Sequence, residues 1–422
     1  MASLLRALEG RGLLAQVSDK AGLDAHLVGG SRTVYAGVDP TASSLQVGNL
    51  VTLLMLRRFQ LAGHRPIAVV GGATGLIGDP SGRVDERALN DAATVEAWVD
   101  AMRAQVSRFL DLEGNNAALV VNNLDWTRDK DVIGFLRDVG KHFSVNAMMQ
   151  RDSVRSRLDR DGAGISYTEF SYMLLQAFDF LELTRRYGCT VQVGGSDQWG
   201  NIVSGVDLVR RVLQRQAYAF THPLITKQDG TKFGKSADGA IWLDAGRTSP
   251  YAFYQFWLNA ADADAVPYLR CFTLLEECEI EAAADAVRER PERRDAQRTL
   301  AREVTRLVHG VEAVDASERI TTALFDGQVR ALRKDDLSQL ARDGMAVSTV
   351  TPGTGLLDAM TGAGLAPSNG AARRLVQSRG VRVNGDVVVD AGMRLEPANA
   401  LHGRYHVVRR GRKSWHMVIV EG

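Results

Sequence analysis

Four short β-rich runs, at 33–38, 66–72, 117–123 and 190–195, are separated by stretches whose apolar residues fall at helical spacing, as Leu50, Leu53, Leu54, Leu56 and Phe59 do. Strands that alternate with helices predict an α/β fold, a parallel sheet covered on both faces. In such sheets ligands gather beyond the carboxyl ends of the strands. The polar residues fall there: Asp39 after the first run, Asp79 after the second, Asn122 and Asn123 at the end of the third, and Asp197 and Gln198 after the fourth.

A chain of 422 residues exceeds what one core usually serves, so two or three domains are expected. From Ser249 to about Asp326 the pattern turns helical, and 327–351 has the loose composition of a linker. Beyond it, 352–422 reads as a compact αβ module, with helices near 355–363 and 369–379 and alternating Val381, Val383 and Val387 around an Asn384-Gly385 turn. This last module carries ten Arg and Lys against five acids, although the whole chain has a formal charge of only +1. An excess of that kind favours a phosphate-bearing partner.

Composition excludes several classes. Apolar content of 45% with 24% charged residues is that of a folded globular protein. No apolar run approaches the ~18 residues of a membrane span, and the first residues lack a signal-peptide pattern. Cys189, Cys271 and Cys278 have neither disulfide-framework nor zinc-site spacing, so reduced thiols, a cytoplasmic setting and no protein-built metal site are expected.

Two polar segments almost two hundred residues apart look like halves of one nucleotide site. Pro40 to Asn49 follows a strand and opens a helix, so free N–H groups would face an anion there. Lys232-Phe233-Gly234-Lys235-Ser236 puts two lysines three residues apart in a glycine-containing loop, which suits a triphosphate that gains charge during reaction. It is one residue too short for a P-loop, and no apolar helix follows it. The run Gly71 to Asp79 lacks the dinucleotide fingerprint; its glycines would let backbone approach a small ligand, with Asp79 facing an ammonium group. Tyr172, Gln176 and Asp179 share one face of an otherwise apolar helix, so a polar ligand would satisfy them if that helix is buried.

Together the segments Tyr35 to Thr41, Gly71 to Gly82, Tyr167 to Asp179, Gln192 to Asn201, Lys232 to Ser236 and Leu365 to Arg374 closely resemble those of bacterial tyrosyl-tRNA synthetases, class I aminoacyl-tRNA synthetases. The resemblance implies a Rossmann-like catalytic domain over 1–247, a helical anticodon-region-binding domain over 248–326, a linker over 327–351 and an RNA-binding module of the ribosomal-protein type over 352–422. It implies that tyrosine and ATP form tyrosyl-adenylate, with Mg²⁺ accompanying the ATP, and that the tyrosyl group passes to tRNA. Tyr35 and Asp179 would then bond the phenol; Asp79, Tyr172 and Gln176 the ammonium, with Asp39 ordering it; Gln192 and Gln198 would lie beside the reacting carboxyl. Gly37, Gly48, Asp197, Phe233, Lys235 and Ser236 match ATP-contacting positions. Thr41, Lys232 and Lys235, helped by Arg83 and Arg87, match those that attend the pyrophosphate. Arg373, Arg374, Arg379 and Arg382 would meet tRNA, and a homodimer interface would lie around 140–167.

One departure stands out. The family's first signature usually reads His-x-Gly-His or His-x-Gly-Asn, and here it is Gln46-Val47-Gly48-Asn49. A neutral glutamine amide is a weaker stabiliser of developing charge than an imidazole, so activation is expected to be slowed. Two alternatives follow from it: an inhibitor-tolerant second copy of the enzyme, or a catalytically weak RNA-binding paralogue.

Overall fold

The computed structural model describes residues 3–81, 89–151, 154–155, 158, 164–226, 233–236, 239–411 and 414–421, without the side chains of Lys235 and Ser236. The chain divides into two compact units, Met1–Leu243 with Ala261–Ala296, and Asp244–Ala260 with Gln297–Gly422.

The first unit is built on five parallel strands: β1 (Thr33–Val38), β2 (Arg65–Val70), β3 (Leu119–Asn122), β4 (Cys189–Gly195) and β5 (Tyr218–His222). Their order is β3-β2-β1-β4-β5, so the chain winds outward from β1 in one direction and then in the other. That reversal opens a crevice between the carboxyl ends of β1 and β4, where such sheets hold their ligands. Register places Tyr35 beside Ile67 on one side and Gln192 on the other. The four expected strands are present; β5, whose Tyr218-Ala219-Phe220-Thr221-His222 carries polar residues at both ends, was not anticipated.

Helix α1 (Leu50–Leu61) is buried along most of its length and starts beside the crevice. Helix α2 (Tyr167–Tyr187) opens at Ser166, whose hydroxyl accepts the Glu169 N–H, and ends at Gly188 in the left-handed conformation, where a side chain would be strained. Its Phe178, Phe180 and Leu181 pack with Tyr35, Ile67, Val69 and Trp126 into one core, each large side chain contributing roughly 2–3 kcal/mol by leaving water. The neighbouring helix Trp199–Leu213 approaches closely through Gly205, where a Cβ would lie 3.2 Å from Phe180.

The expected helical stretch is helical, in Pro250–Leu258, α3 (Asp262–Phe272), Glu277–Glu289, Asp295–His309 and Val311–Asp326. Its members are shared between the units, α3 and Glu277–Glu289 lying in the first.

The second unit contains a mixed sheet of β6 (Ala346–Val350), β7 (Val381–Val383), β8 (Asp386–Val387), β9 (Tyr405–Arg410) and β10 (Ser414–Val420), in the order β8-β7-β9-β10-β6. The Asn384-Gly385 turn is there, with φ of 53° and 93°. The stretch 327–351 is more ordered than a linker: it forms a helix, Lys334–Gln339, and then β6, which pairs in parallel with β10. Leu332, Leu337 and Leu340 are buried against Tyr405, Val407 and Met417. Its polar composition misleads because β6 is an edge strand, with residues alternating between exposed and half-buried.

Candidate active site

A cleft of 610 Å³ opens at the β1–β4 crevice, and at its inner end lies a continuous hydrogen-bonded chain. The Tyr172 hydroxyl, on α2, donates to Asp39 Oδ2 at 2.6 Å, and Thr74 Oγ1 donates to Asp39 Oδ1 at 2.6 Å. Asn123 Nδ2 donates to Thr74 Oγ1 and to Asp179 Oδ2, both at 3.0 Å, and Trp126 Nε1 donates to Asp179 Oδ1 at 2.8 Å. The Asn123 amide is oriented by its own Oδ1, which accepts the Ala73 N–H at 2.7 Å. These bonds hold three elements in fixed register around the α2 carboxylate.

The glycine run also leaves room for side chains of neighbouring strand ends, and its Gly71 lines the cleft. A Cβ on Gly71 would lie 2.1 Å from Asp39 Oδ1, and one on Gly72 would lie 2.3 Å from Asn122 Oδ1. Asp79 lines the cleft beyond the run, its Oδ2 accepting from Gln198 Nε2 at 2.7 Å and its Oδ1 from the Ser81 N–H at 2.9 Å.

Three cleft-lining groups are buried without a hydrogen-bond partner among the described residues: the Tyr35 hydroxyl, Gln176 Oε1 and Gln192 Oε1. Leaving a buried polar atom unpaired costs about 1–3 kcal/mol, so three in one cavity mark a place made for a polar guest. Burial pushes the Asp179 carboxyl up to about 7 against the pull of its Asn123 and Trp126 bonds, and the nearby Asp39 charge adds to the rise. Burial, with Asp179 beside it, raises the Tyr35 phenol well above its ordinary value.

The outer end joins the two polar segments. Val47 N–H donates to Ile241 O and Leu243 N–H to Leu45 O, both at 2.9 Å, with Gln46 bridging Trp242 between them. Ile241 N–H in turn donates to Gly234 O at 3.0 Å, so the first signature and the lysine loop share one ladder. Thr41, Gly48, Asn49, Thr52, Asp197 and Phe233 line this end. Asn49 Oδ1 accepts the Gln46 N–H at 2.9 Å, which leaves its NH₂ as the group able to donate. Phe233 stacks on Phe272 at 5.0 Å and meets Tyr268 edge-on at 5.1 Å. His222, at the end of β5, bonds Thr52 Oγ1 through Nε2 at 3.0 Å and Pro223 O through Nδ1 at 3.0 Å; burial lowers its pKa and keeps it neutral.

Of the expected residues, the cleft brings together Tyr35, Gly37, Asp39, Thr41, Gly48, Asn49, Asp79, Tyr172, Gln176, Asp179, Gln192, Asp197, Gln198 and Phe233. Gln46 is exposed and is not among the residues that line it. Arg83, Arg87 and Lys232 lie outside the described residues, as do the side chains of Lys235 and Ser236. Arg373, Arg374, Arg379 and Arg382 are exposed in the second unit. Sequence reasoning gave no role to Thr74, Asn123, Trp126, Thr52 or His222. Only Asn123 had a legible signal, its place at a strand end.

The profile of class I tRNA synthetases of the tryptophan and tyrosine type matches residues 29–326, and that of the tyrosine–tRNA ligase C-terminal domain matches 336–418. The chain belongs to the class I tRNA synthetase family. Within it, the chain is 52% identical over 419 residues to the tyrosine–tRNA ligase of Dechloromonas aromatica, covering 98% of each. It is 52% identical over 417 residues to that of Chromobacterium violaceum, covering 99% of this chain and 98% of the relative. Among solved structures, a C-terminally truncated mitochondrial tyrosyl-tRNA synthetase of Aspergillus nidulans superposes with a TM-score of 0.70 at 32% identity, over 77% of this chain and 95% of that one.

Proposed function

We infer that this chain joins tyrosine to its tRNA, and that the cleft is where tyrosine meets ATP. The observation that carries the assignment of the pocket is the buried, unpartnered Tyr35 hydroxyl beside Asp179, at the closed end of a cavity whose other end is the nucleotide ladder. A substrate phenol would donate to Asp179 and accept from Tyr35. Phenylalanine would leave both unpaired, and a site of this type rejects a substrate lacking the hydroxyl far better than an apolar slot can.

Asp79, Gln176 and the Asp39–Tyr172 pair are suited to the ammonium, and Gln192 and Gln198 to the carboxylate. That carboxylate oxygen attacks the α-phosphorus, pyrophosphate leaves, and no protein base is required. Asn49, Thr41 and the lysine loop orient the phosphates and offset the charge that develops on them. Mg²⁺ enters with the ATP. In the second step a terminal ribose hydroxyl of tRNA attacks the carbonyl carbon and AMP leaves, with Arg373, Arg374, Arg379 and Arg382 gripping the RNA backbone.

A homodimer fits the exposure of Val132, Ile133, Val145, Met149, Leu158 and Tyr167, apolar or aromatic side chains around the stretch expected to pair. Light scattering on the dilute protein tests that. Among the described residues no helix is long and apolar enough to cross a membrane, and the three cysteines are free thiols, in keeping with a cytoplasmic setting. Tyrosine-dependent exchange of pyrophosphate into ATP is the direct test of the cleft, with phenylalanine as comparator. Equal exchange with both amino acids would remove the phenol assignment, and none with either would leave an RNA-binding paralogue.

A further inference from the structure

A second cavity, of 600 Å³, lies in the first unit away from the cleft. Its walls are Leu4, Leu8, Leu27, Val28, Leu61 and Leu274, and two cations, Arg11 and Arg58, line it without any Asp or Glu among the lining residues. Arg58 is 8% exposed. Its Nη2 is committed to the carbonyls of Arg270, Cys271 and Thr273, at 3.1, 3.2 and 2.8 Å, while Arg11 Nη2 donates to Leu275 O. On each guanidinium the other terminal nitrogen, Nη1, is buried and has no hydrogen-bond partner among the described residues.

Such a pair is costly as it stands. Two like charges line one largely apolar cavity, each with an unsatisfied donor among the described residues, and burial together with the Arg11 charge lowers Arg58 to about 10. A carboxylate is an acceptor for guanidinium N–H groups and its charge would neutralise part of the repulsion. Val28 and Leu61, 71% and 60% exposed, leave an apolar rim for a tail.

We propose that this cavity is a binding site for a small apolar-tailed monocarboxylate, held by Arg11 and Arg58 with its tail against Leu8, Leu27, Val28 and Leu61. Arg58 sits on α1, whose N-terminal end carries Gly48, Asn49 and Thr52 into the cleft about 13 Å away at 1.5 Å per residue. It also grips the C-terminal end of α3, whose Phe272 and Tyr268 hold Phe233 of the lysine loop. An anion that fixes Arg58 therefore steadies two of the elements that line the nucleotide end. This coupling rests on the nucleotide reading of the cleft; the binding site itself does not.

Octanoate titrated calorimetrically into the full-length protein tests the site. The expected dissociation constant is about 1 mM or tighter, with inorganic phosphate binding at least about tenfold more weakly because it lacks the tail. Arg11→Met is expected to weaken octanoate about tenfold or more. Val28→Asn, a neutral polar change at an exposed rim position, is expected to weaken octanoate and leave phosphate unchanged. Phosphate binding as tightly as octanoate, no octanoate binding, or octanoate binding that survives Val28→Asn would each overturn the assignment. Saturating octanoate is further expected to lower the KM for ATP about fivefold in the wild type, at the low end of typical couplings; an unchanged KM overturns the coupling.

Discussion

At the end of the cleft proposed for tyrosine the polar groups are bonded to one another within the protein: Tyr172 to Asp39, Thr74 to Asp39, Asn123 to Thr74 and Asp179, Trp126 to Asp179. At the end proposed for the nucleotide the lining comes from loop backbone and exposed residues such as Thr41 and Gly48, with main-chain bonds from Val47 to Ile241 and from Ile241 to Gly234. The contrast separates two tasks. Choosing one amino acid against a close analogue needs rigid, desolvated donors and acceptors, whereas passing charge onto pyrophosphate needs groups that can follow a changing ligand.

The most severe test of that contrast is Asp179→Ala. It removes a charged acceptor from the phenol, worth about 4 kcal/mol, so kcat/KM for tyrosine in the exchange reaction should fall roughly 1000-fold while the KM for ATP stays put. A loss shared by both substrates would erase the distinction between the ends. Tyr35→Phe should cost about 10- to 100-fold in the same constant. Because the hydroxyl has no partner among the described residues, the urea midpoint should hold or rise, and a marked drop would mean the hydroxyl is needed by the fold itself.

Acidity probes the same carboxyl without mutation. With Asp179 held up to about 7 by burial, lowering the pH protonates it and removes the acceptor. Tyrosine affinity should therefore weaken about tenfold between pH 8 and pH 6. Asp179→Asn should flatten the profile, and a profile that persists in that variant would assign the titration elsewhere. The mildest change is expected from Gln46→His at the other end. The residue is exposed, so stability should not move, and restoring an imidazole donor should speed exchange by about three- to tenfold. If the rate is unchanged, the site has adapted around glutamine. If inhibition by a tyrosyl-adenylate analogue is also equal in the two proteins, nothing remains to suggest an inhibitor-tolerant copy.

What could be read from sequence was whatever depends on short-range periodicity. Tyr172, Gln176 and Asp179 announce a shared helical face by their spacing, and all three line the cleft. The β-rich runs around Tyr35 and Gln192 were legible for the same reason. Thr74 and Trp126 were not, because their importance lies in bonds to Asp39 and Asp179, residues distant in the chain that only the sheet brings near. β5 escaped notice because its polar ends mask a strand buried beside β4. β6 escaped because nothing local tells an edge strand from a connector; its partner is the last strand of the described chain.

That last pairing bears on how the protein is born. β6 is synthesised some seventy residues ahead of β10, so a growing chain emerging from the ribosome carries an unpaired strand edge until β10 has been added. A chain broken between the two strands would leave β6 uncovered and Val407 and Leu340 lacking Met417, open to proteases. The order of synthesis is thus written into the stability of the unit that exposes Arg373, Arg374, Arg379 and Arg382.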